Sequence, residues 1–198
     1  MIILHRVNTI DELDEQSPIE FDVRAYNSSL IVQHDPFKPG EDFEVFIQVA
    51  VTKSKGKRFM IVNIKTDGIE DQVLYILRKY KVDDFFLLDC SLPTIVRLIK
   101  MGEKRIAIRY SEYESKETVF SFKGHINWIW VDCFTCFPLD KNTENEFHEA
   151  GFKLCLVSPE LQSQYEKIDT YISYIKDNNI KYDAVCTKRQ VSNKWLFT

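Results

Sequence analysis

Short apolar runs rich in β-branched and aromatic residues recur along the chain and alternate with longer stretches in which apolar residues have helical spacing. This alternation is typical of repeated β-strand and α-helix units. The eight predicted strands are Ile2 to Leu4, Ile19 to Val23, Phe59 to Ile64, Phe85 to Leu88, Ile106 to Ile108, Trp128 to Val131, Lys153 to Val157 and Ala184 to Cys186. Because these runs are continuously apolar, we expect parallel strands buried on both faces.

The stretches between the strands predict helices, and most of them begin at a Ser, Thr or Pro start signal. The predicted helices are Ile10 to Asp14 after Thr9, Ile69 to Leu77 after Asp67 and Gly68, Thr94 to Lys100 after Ser91 and Pro93, Glu144 to Ala150 after Thr143, and Glu160 to Lys176 after Ser158 and Pro159. A hairpin-like extension of the second unit is predicted around Ile31 to His34.

Eight such units predict an α/β fold, a compact (β/α)8 TIM barrel that forms a single domain over residues 1–198. A barrel of this type commonly uses about 250 residues, so this one would be unusually short. An open doubly wound sheet is the alternative. The sequence gives it no support, because no Gly-rich phosphate loop follows an early strand.

The overall charge narrows the possible partners. The chain has 26 Lys and Arg against 30 Asp and Glu, a formal net charge of -4, so we expect no nucleic-acid partner. No apolar run approaches the roughly 18 residues of a membrane span, and the start of the sequence does not resemble a signal peptide. We therefore expect a cytoplasmic protein without a stable membrane anchor.

Five cysteines are present, and most lie at or near the ends of apolar runs. Cys133 and Cys136 have the two-residue spacing of a zinc or redox pair, but no second pair or neighbouring His completes a four-ligand set. Reduced core thiols are the expected state.

Polar residues gather at the carboxyl end of each predicted strand, the position at which β/α barrels place their reactive groups. They are His5 and Arg6 after the first strand, Glu20, Asp22 and Arg24 at the second, Asn63 and Lys65 at the third, Asp89 at the fourth, Arg109, Ser111 and Glu112 at the fifth, Asp132 at the sixth, Ser158 and Glu160 at the seventh, and Thr187 and Lys188 at the eighth. We therefore expect a working site at this rim.

Glu20 and Asp22 are two residues apart on a predicted strand, so both side chains point the same way and can present two carboxylates to one cation. The alternative is a solvated pair on an edge strand, which the apolar Ile19, Phe21 and Val23 around them disfavour. His34 ends a short apolar run, and a lone His is more often a packed or surface residue than a catalyst.

At His5-Arg6, Glu20-Phe21-Asp22-Val23-Arg24 and His34-Asp35-Pro36, the sequence resembles the glycerophosphodiester phosphodiesterase family. Asn63-Ile64-Lys65 is similar to the family's third-strand motif, and the later segments resemble a divergent branch of the phospholipase C-like phosphodiesterase superfamily. The resemblance implies a barrel that holds a divalent cation and hydrolyses a phosphodiester. It further implies acid and base roles for His5 and His34, metal ligation by Glu20 and Asp22, and phosphate binding by Arg6 and Lys65.

Two positions depart from the family pattern. Val7 stands where the family has Gly after the His-Arg pair, which would narrow the phosphate pocket. Asn63 stands where the family has a Glu metal ligand, and an amide is a weaker oxygen donor. We predict that Asn63 and Glu112 complete the cation site, with Asp89 or Asp132 as alternatives to Glu112. Oxygen ligands favour Mg, Ca or Mn.

The leading hypothesis is a phosphoric diester hydrolase, which uses a divalent cation and His acid/base catalysis on a small glycerophosphodiester-like substrate. A second hypothesis, based on Val7 and Asn63, is a catalytically impaired barrel that binds a phosphorylated metabolite through Arg6, Lys65 and Arg109 without turnover. A third is a lyase or isomerase in which Lys65 forms an imine with a carbonyl substrate.

Overall fold

The computed structural model describes residues 1–196, so Phe197 and Thr198 lie outside the described residues. The chain forms two compact units, which we call the N-terminal unit, Leu4–Arg97, and the C-terminal unit, Met1–Ile3 with Leu98–Thr198. The described strands are β1 (Ile2–Leu4), β2 (Ile19–Tyr26), β3 (Ser29–Val32), β4 (Glu41–Asp42), β5 (Met60–Ile64), β6 (Phe85–Leu88), β7 (Ala107–Tyr110), β8 (Trp128–Val131), β9 (Lys153–Val157) and β10 (Ala184–Thr187). The α-helices are α1 (Phe43–Ser54), α2 (Glu70–Lys79), α3 (Leu92–Lys100), α4 (Lys116–Phe120), α5 (Lys141–Glu149) and α6 (Ile168–Asp177).

Strand β2 is the centre of the N-terminal unit. It pairs in parallel with β5 along residues 19–23 and with β1 at Leu4, and β6 pairs in parallel with β5. The apolar side chains of β2 pack against α1, and the rings of Phe21 and Phe46 have centroids 4.9 Å apart. This register places Asp22 directly opposite Asn63 on the neighbouring strand.

The second half of β2 carries the predicted hairpin. Strand β3 pairs with it in antiparallel fashion from Val23 to Tyr26, and β4 then pairs with β3. Gly40 stands where the loop returns onto β3, and a Cβ atom there would lie 2.4 Å from the carbonyl oxygen of Val32. Only glycine allows this close approach, so Gly40 sets the shape of the loop that contains His34.

The C-terminal unit contains the parallel strands β7, β8, β9 and β10, with β1 beside β10. Two helix predictions are wrong here. Residues 160–176 form two 3-10 segments before α6 instead of one helix, because Ser163 has a left-handed φ of 61°. Asp140, not Thr143, caps α5, because its carboxylate accepts a hydrogen bond from the Thr143 N–H at 2.7 Å.

All eight predicted strands are found, and the mixed α/β class is confirmed. Helix α1 was not predicted. Its N-cap is Asp42, whose carboxylate accepts a hydrogen bond from the Val45 N–H at 2.9 Å. Within residues 1–196, no helix has both the length and the apolar character needed to cross a membrane.

All five cysteines are free thiols. Cys133, Cys155 and Cys186 are buried, whereas Cys136 is exposed, so the expectation of core thiols is wrong for Cys136. Burial raises the pKa of the Cys133 thiol far above its ordinary value, and its Sγ lies 3.3 Å from the Val157 carbonyl oxygen. A thiol in this state is a poor nucleophile and metal ligand.

Candidate functional site

The N-terminal unit brings six of the predicted site residues together at the carboxyl ends of its parallel strands. These residues, which we call the β2 site, are His5, Arg6, Glu20, Asp22, Asn63 and Lys65. They come from three neighbouring strands and the turns after them, because the parallel register of β1, β2 and β5 aligns their ends. The alternative, a solvated pair of Glu20 and Asp22 on an edge strand, is wrong, because both residues are only 1% exposed.

Glu20 is held by hydrogen bonds from both sides. Its Oε2 accepts from the backbone N–H of Arg6 at 2.7 Å, and its Oε1 accepts from Asn63 Nδ2 at 2.9 Å. The Nε2 atom of His5 is 3.7 Å from Oε2. Burial and the charge of Asp22 raise the pKa of Glu20 from 4.5 to about 7, against the lowering effect of these donors. The carboxylates of Glu20 and Asp22 therefore place negative charge close together at a position that water does not solvate.

Asp22 has a different set of partners. Its Oδ2 accepts a hydrogen bond from Asn8 Nδ2 at 2.8 Å, and its backbone N–H donates to Asn8 Oδ1 at 2.9 Å. Two cations lie farther away, with Lys65 Nζ 3.6 Å from Oδ1 and Arg6 Nε 3.9 Å from Oδ2. Asn8 was not among the predicted site residues. The sequence did carry a signal for it, because Asn8-Thr9 resembles the end of the family motif that begins at His5-Arg6.

Lys65 lies between two carboxylates. Its Nζ is 3.1 Å from Asp89 Oδ2 and 3.6 Å from Asp22 Oδ1. Asp89 reaches it from a left-handed backbone position with φ of 59°, and Arg6 has a similar φ of 56°. A non-glycine residue in this conformation costs on the order of 1 kcal/mol, and such positions are common at functional sites. An imine would replace the ammonium group that these carboxylates bind, so the arrangement gives no support to the imine hypothesis.

His34 lies on the loop after β3, with its side chain 38% exposed. Its Nδ1 is 2.9 Å from Asp35 Oδ1, and hydrogen bonds from His34 and Lys38 lower the pKa of Asp35 to about 2. An ionised Asp35 therefore orients the imidazole through one nitrogen and leaves Nε2 for other partners. The tautomer that fits this bond has its proton on Nδ1.

An open groove of about 610 Å³ lies between His34 and Arg6, the member of the β2 site that lines it. Arg6 and Asn8 line one part of it, and Gln33, His34 and Asp35 line another. The groove is therefore the place in the N-terminal unit where a small molecule can contact both a site cation and a histidine. Val7 does not line it, because the Val7 side chain is only 4% exposed in the core. The expectation that Val7 narrows this pocket is wrong.

The predicted residues Arg109 and Glu112 belong to the C-terminal unit. Arg109 Nε is 3.6 Å from Asp132 Oδ2, and its guanidinium lies over the ring of Phe134 at 5.5 Å. Glu112 Oε1 accepts hydrogen bonds from the backbone N–H and hydroxyl of Thr135, while its Oε2 is buried without a hydrogen-bond partner within residues 1–196. Their roles in the site stay predictions.

Other polar strand ends of the C-terminal unit stabilise its own structure. Glu160 is fully buried, and its Oε1 accepts hydrogen bonds from the Thr187 hydroxyl at 2.6 Å and from the Lys188 N–H at 2.9 Å. The hydroxyl of Ser158 donates to Glu160 Oε2 and accepts from Trp195 Nε1 at 2.9 Å. Hydrogen bonding inside the unit accounts for these polar groups.

The oxygen atoms of the β2 site fit a hard divalent cation. In the described part of the chain, no group of three or more His, Cys, Asp or Glu residues is arranged to hold a metal ion. The β2 site instead offers two buried carboxylates and Asn63 Oδ1, which is buried and has no hydrogen-bond partner among residues 1–196. An orphaned buried acceptor beside excess negative charge is the environment that a cation stabilises. Glu20, Asp22 and Asn63 therefore make a chemically suitable ligand set.

No protein-family model matches the sequence, and no curated protein sequence does. Several solved structures are similar in fold. A candidate glycerophosphoryl diester phosphodiesterase from Agrobacterium tumefaciens str. C58 has a TM-score of 0.65 at 13% identity, with 98% of this chain and 96% of that chain covered. One from Silicibacter pomeroyi DSS-3 has a TM-score of 0.65 at 10% identity, covering 98% and 91%.

A glycerophosphodiester phosphodiesterase from Agrobacterium tumefaciens str. C58 has a TM-score of 0.60 at 11% identity, with 94% of this chain and 96% of that chain covered. The structural resemblance to this group therefore extends along nearly the whole length of the chain. At these identities, it is the fold that is shared.

Proposed function

We propose that this chain is a phosphodiesterase that hydrolyses a small phosphodiester at the β2 site, with His5 and His34 as its acid and base. The observation that carries the proposal is the groove that exposes both Arg6 and His34 to one ligand. The fold similarity to glycerophosphodiester phosphodiesterases supports a diester substrate. It also supports our further proposal that the eight parallel strands belong to one (β/α)8 barrel.

The side chains divide the work of the reaction as follows. A phosphodiester is anionic, so the guanidinium of Arg6 and the ammonium of Lys65 bind its non-bridging oxygens and offset the charge that grows in the transition state. His34, oriented by Asp35 at 2.9 Å, takes a proton through Nε2 from the water that attacks the phosphorus atom. His5, 3.7 Å from Glu20, gives a proton to the alcohol oxygen that leaves as the P–O bond breaks.

Glu20, Asp22 and Asn63 would hold a divalent cation, with Mg, Ca or Mn as the candidates. When bound, this cation supplies positive charge to the phosphoryl oxygens. Burial and the charge of Asp22 together raise the pKa of Glu20 to about 7, and this buried pair of carboxylates supports cation binding.

A panel assay tests the function. Purified protein is mixed with glycerophosphodiesters that differ in their alcohol groups, in chelator and then with each cation, and a phosphomonoester of the same alcohol serves as control. We expect the protein to hydrolyse the diesters and to leave the phosphomonoester unchanged. Binding of phosphorylated compounds without turnover under every condition would favour the impaired-barrel alternative, for which Asn63 remains an argument.

Replacing Asn63 by Asp tests the cation site without depending on activity. The variant should unfold at a lower temperature than wild type in chelator, because a third buried carboxylate joins Glu20 and Asp22. It should bind Mn²⁺ more tightly, on the order of tenfold, because a charged oxygen replaces a neutral one. Thermal unfolding and calorimetric titration with Mn²⁺ measure the two effects.

The matched control for this variant is Asn127→Asp, which adds the same charge at an exposed position of the C-terminal unit. It should leave both the unfolding temperature and the Mn²⁺ affinity unchanged. Equal Mn²⁺ affinities in wild type and Asn63→Asp would show that Asn63 does not face the cation.

A further inference from the structure

Arg24 lies on β2 two residues beyond Asp22, so it faces the same side of the strand as Glu20 and Asp22. Its side chain is partly buried, and it does not line the groove described above. Arg24 is the last residue of the motif Glu20 to Arg24 in the sequence, but it was assigned no role there. Its position on the central strand of the unit places it between the two flanking strands.

The guanidinium of Arg24 bonds to one carbonyl on each side. Its Nε donates to the carbonyl oxygen of His34 at 2.8 Å, and its Nη1 donates to the carbonyl oxygen of Lys65 at 3.1 Å. His34 follows β3, and Lys65 follows β5, the two neighbours of β2 in this region. One rigid planar group therefore connects the backbone of both loops to the strand that holds Asp22.

We propose that Arg24 is the positioning residue of the site, which fixes the backbone of His34 and of Lys65 relative to Glu20 and Asp22. This inference rests on the proposed function, since its catalytic effect requires His34 and Lys65 to act on the substrate. The rigid fork matters because its two donors, Nε and Nη1, point in different directions. A lysine at this position has a single nitrogen and a flexible stem, and it cannot reproduce both bonds at their present geometry.

A loss of activity in a variant of Arg24 has a second possible cause, which is the removal of its positive charge. Within residues 1–196, both of its hydrogen bonds go to neutral carbonyls, and it forms no ion pair with a carboxylate. Its positive charge therefore acts on the surrounding site as well. Two substitutions separate charge from positioning: Arg24→Lys keeps the charge and loses the fork, whereas Arg24→Met loses both.

The test measures diester hydrolysis and amide hydrogen exchange in wild type, Arg24→Lys and Arg24→Met, with Arg24→Ala as a further variant for rescue by added guanidinium ion. We expect kcat to fall roughly 10- to 100-fold in both variants, with KM changing far less, because a displacement of about 1 Å can cost that much in rate. The amides of residues 34–35 and 65–66 should exchange faster in both variants. Added guanidinium ion should partly restore kcat in Arg24→Ala, an effect that a general loss of stability would not produce.

Arg105→Met is the matched control. Arg105 is also partly buried, but it bonds to Glu103 in the C-terminal unit, with its Nη2 2.8 Å from Oε2. This variant should leave kcat unchanged. Wild-type kcat in Arg24→Lys would overturn the positioning role in favour of charge. Unchanged exchange at both loops in Arg24→Met would overturn it whatever the activity, whereas an inactive wild type with faster exchange in that variant would overturn the proposed function alone.

Discussion

Replacement of His34 by Ala should lower the rate of diester hydrolysis by about 10²- to 10⁴-fold, the usual contribution of a general acid or base. The imidazole is 38% exposed and bonded to Asp35 through Nδ1, so its removal takes little from the core and leaves the fold intact. The loss should appear in kcat, because His34 moves a proton and the cations Arg6 and Lys65 bind the phosphate. Steady-state kinetics at saturating cation measure it, with circular dichroism as the check on folding.

His125→Ala is the control for this experiment, since His125 is an exposed histidine of the C-terminal unit. It should hydrolyse the diester at the wild-type rate. If His34→Ala also kept the wild-type rate, the proton transfer assigned to the groove would be ruled out. The base would then have to be sought elsewhere around the β2 site.

Replacement of Glu20 by Gln should remove a large part of the pH dependence of folding stability. Burial and the charge of Asp22 raise the pKa of Glu20 from 4.5 to about 7, so the folded protein binds this proton more tightly than the unfolded chain does. The contribution of the Glu20 proton to the free energy of unfolding is therefore complete below about pH 4.5, and it is lost as the pH rises toward 7. The integrated loss is about 3 kcal/mol for a shift of this size. Gln is neutral throughout and should not show it.

The measurement is urea unfolding at pH 5 and pH 8 in chelator, so that no cation competes with the proton at Glu20. Glu144→Gln is the control, because Glu144 is equally buried in the C-terminal unit but its pKa shifts the other way. Burial acts to raise that pKa, and hydrogen bonds from Lys141 and His148 outweigh it and lower it. At pH 8, Glu144→Gln should therefore have a lower free energy of unfolding than wild type, whereas Glu20→Gln should have a higher one. The same sign for both variants would contradict the assignment.

The strands could be predicted because parallel strands buried on both faces leave continuous apolar runs in the sequence. Helix α1 could not be recognised in the same way. Its buried residues Phe43, Phe46, Ile47 and Ala50 have helical spacing. However, the valines between them have the β-branched character of a strand, and packing overrides that propensity. The interruption of the helix predicted over residues 160–176 depends on the left-handed backbone of Ser163, which the local residue types do not indicate.

The site could be predicted in part for a similar reason. Glu20 and Asp22 lie within β2, where the alternation of a strand fixes their direction, and Lys65 directly follows β5. Asn8 and Arg24 were missed because their roles depend on partners 10 to 41 residues away, Asp22 for Asn8 and the carbonyls of His34 and Lys65 for Arg24. Such pairings are set by strand register, which the apolar pattern alone does not specify.

The most direct test of the central claim is ³¹P NMR of a glycerophosphodiester incubated with wild-type protein and Mg²⁺, in the absence of Mn²⁺. The control is His5→Ala under the same conditions. The phosphodiesterase account predicts that the diester signal converts to a monoester signal with wild type alone. A diester signal that shifts on binding but never converts would contradict it, and the β2 site would then be a site for binding a phosphorylated ligand.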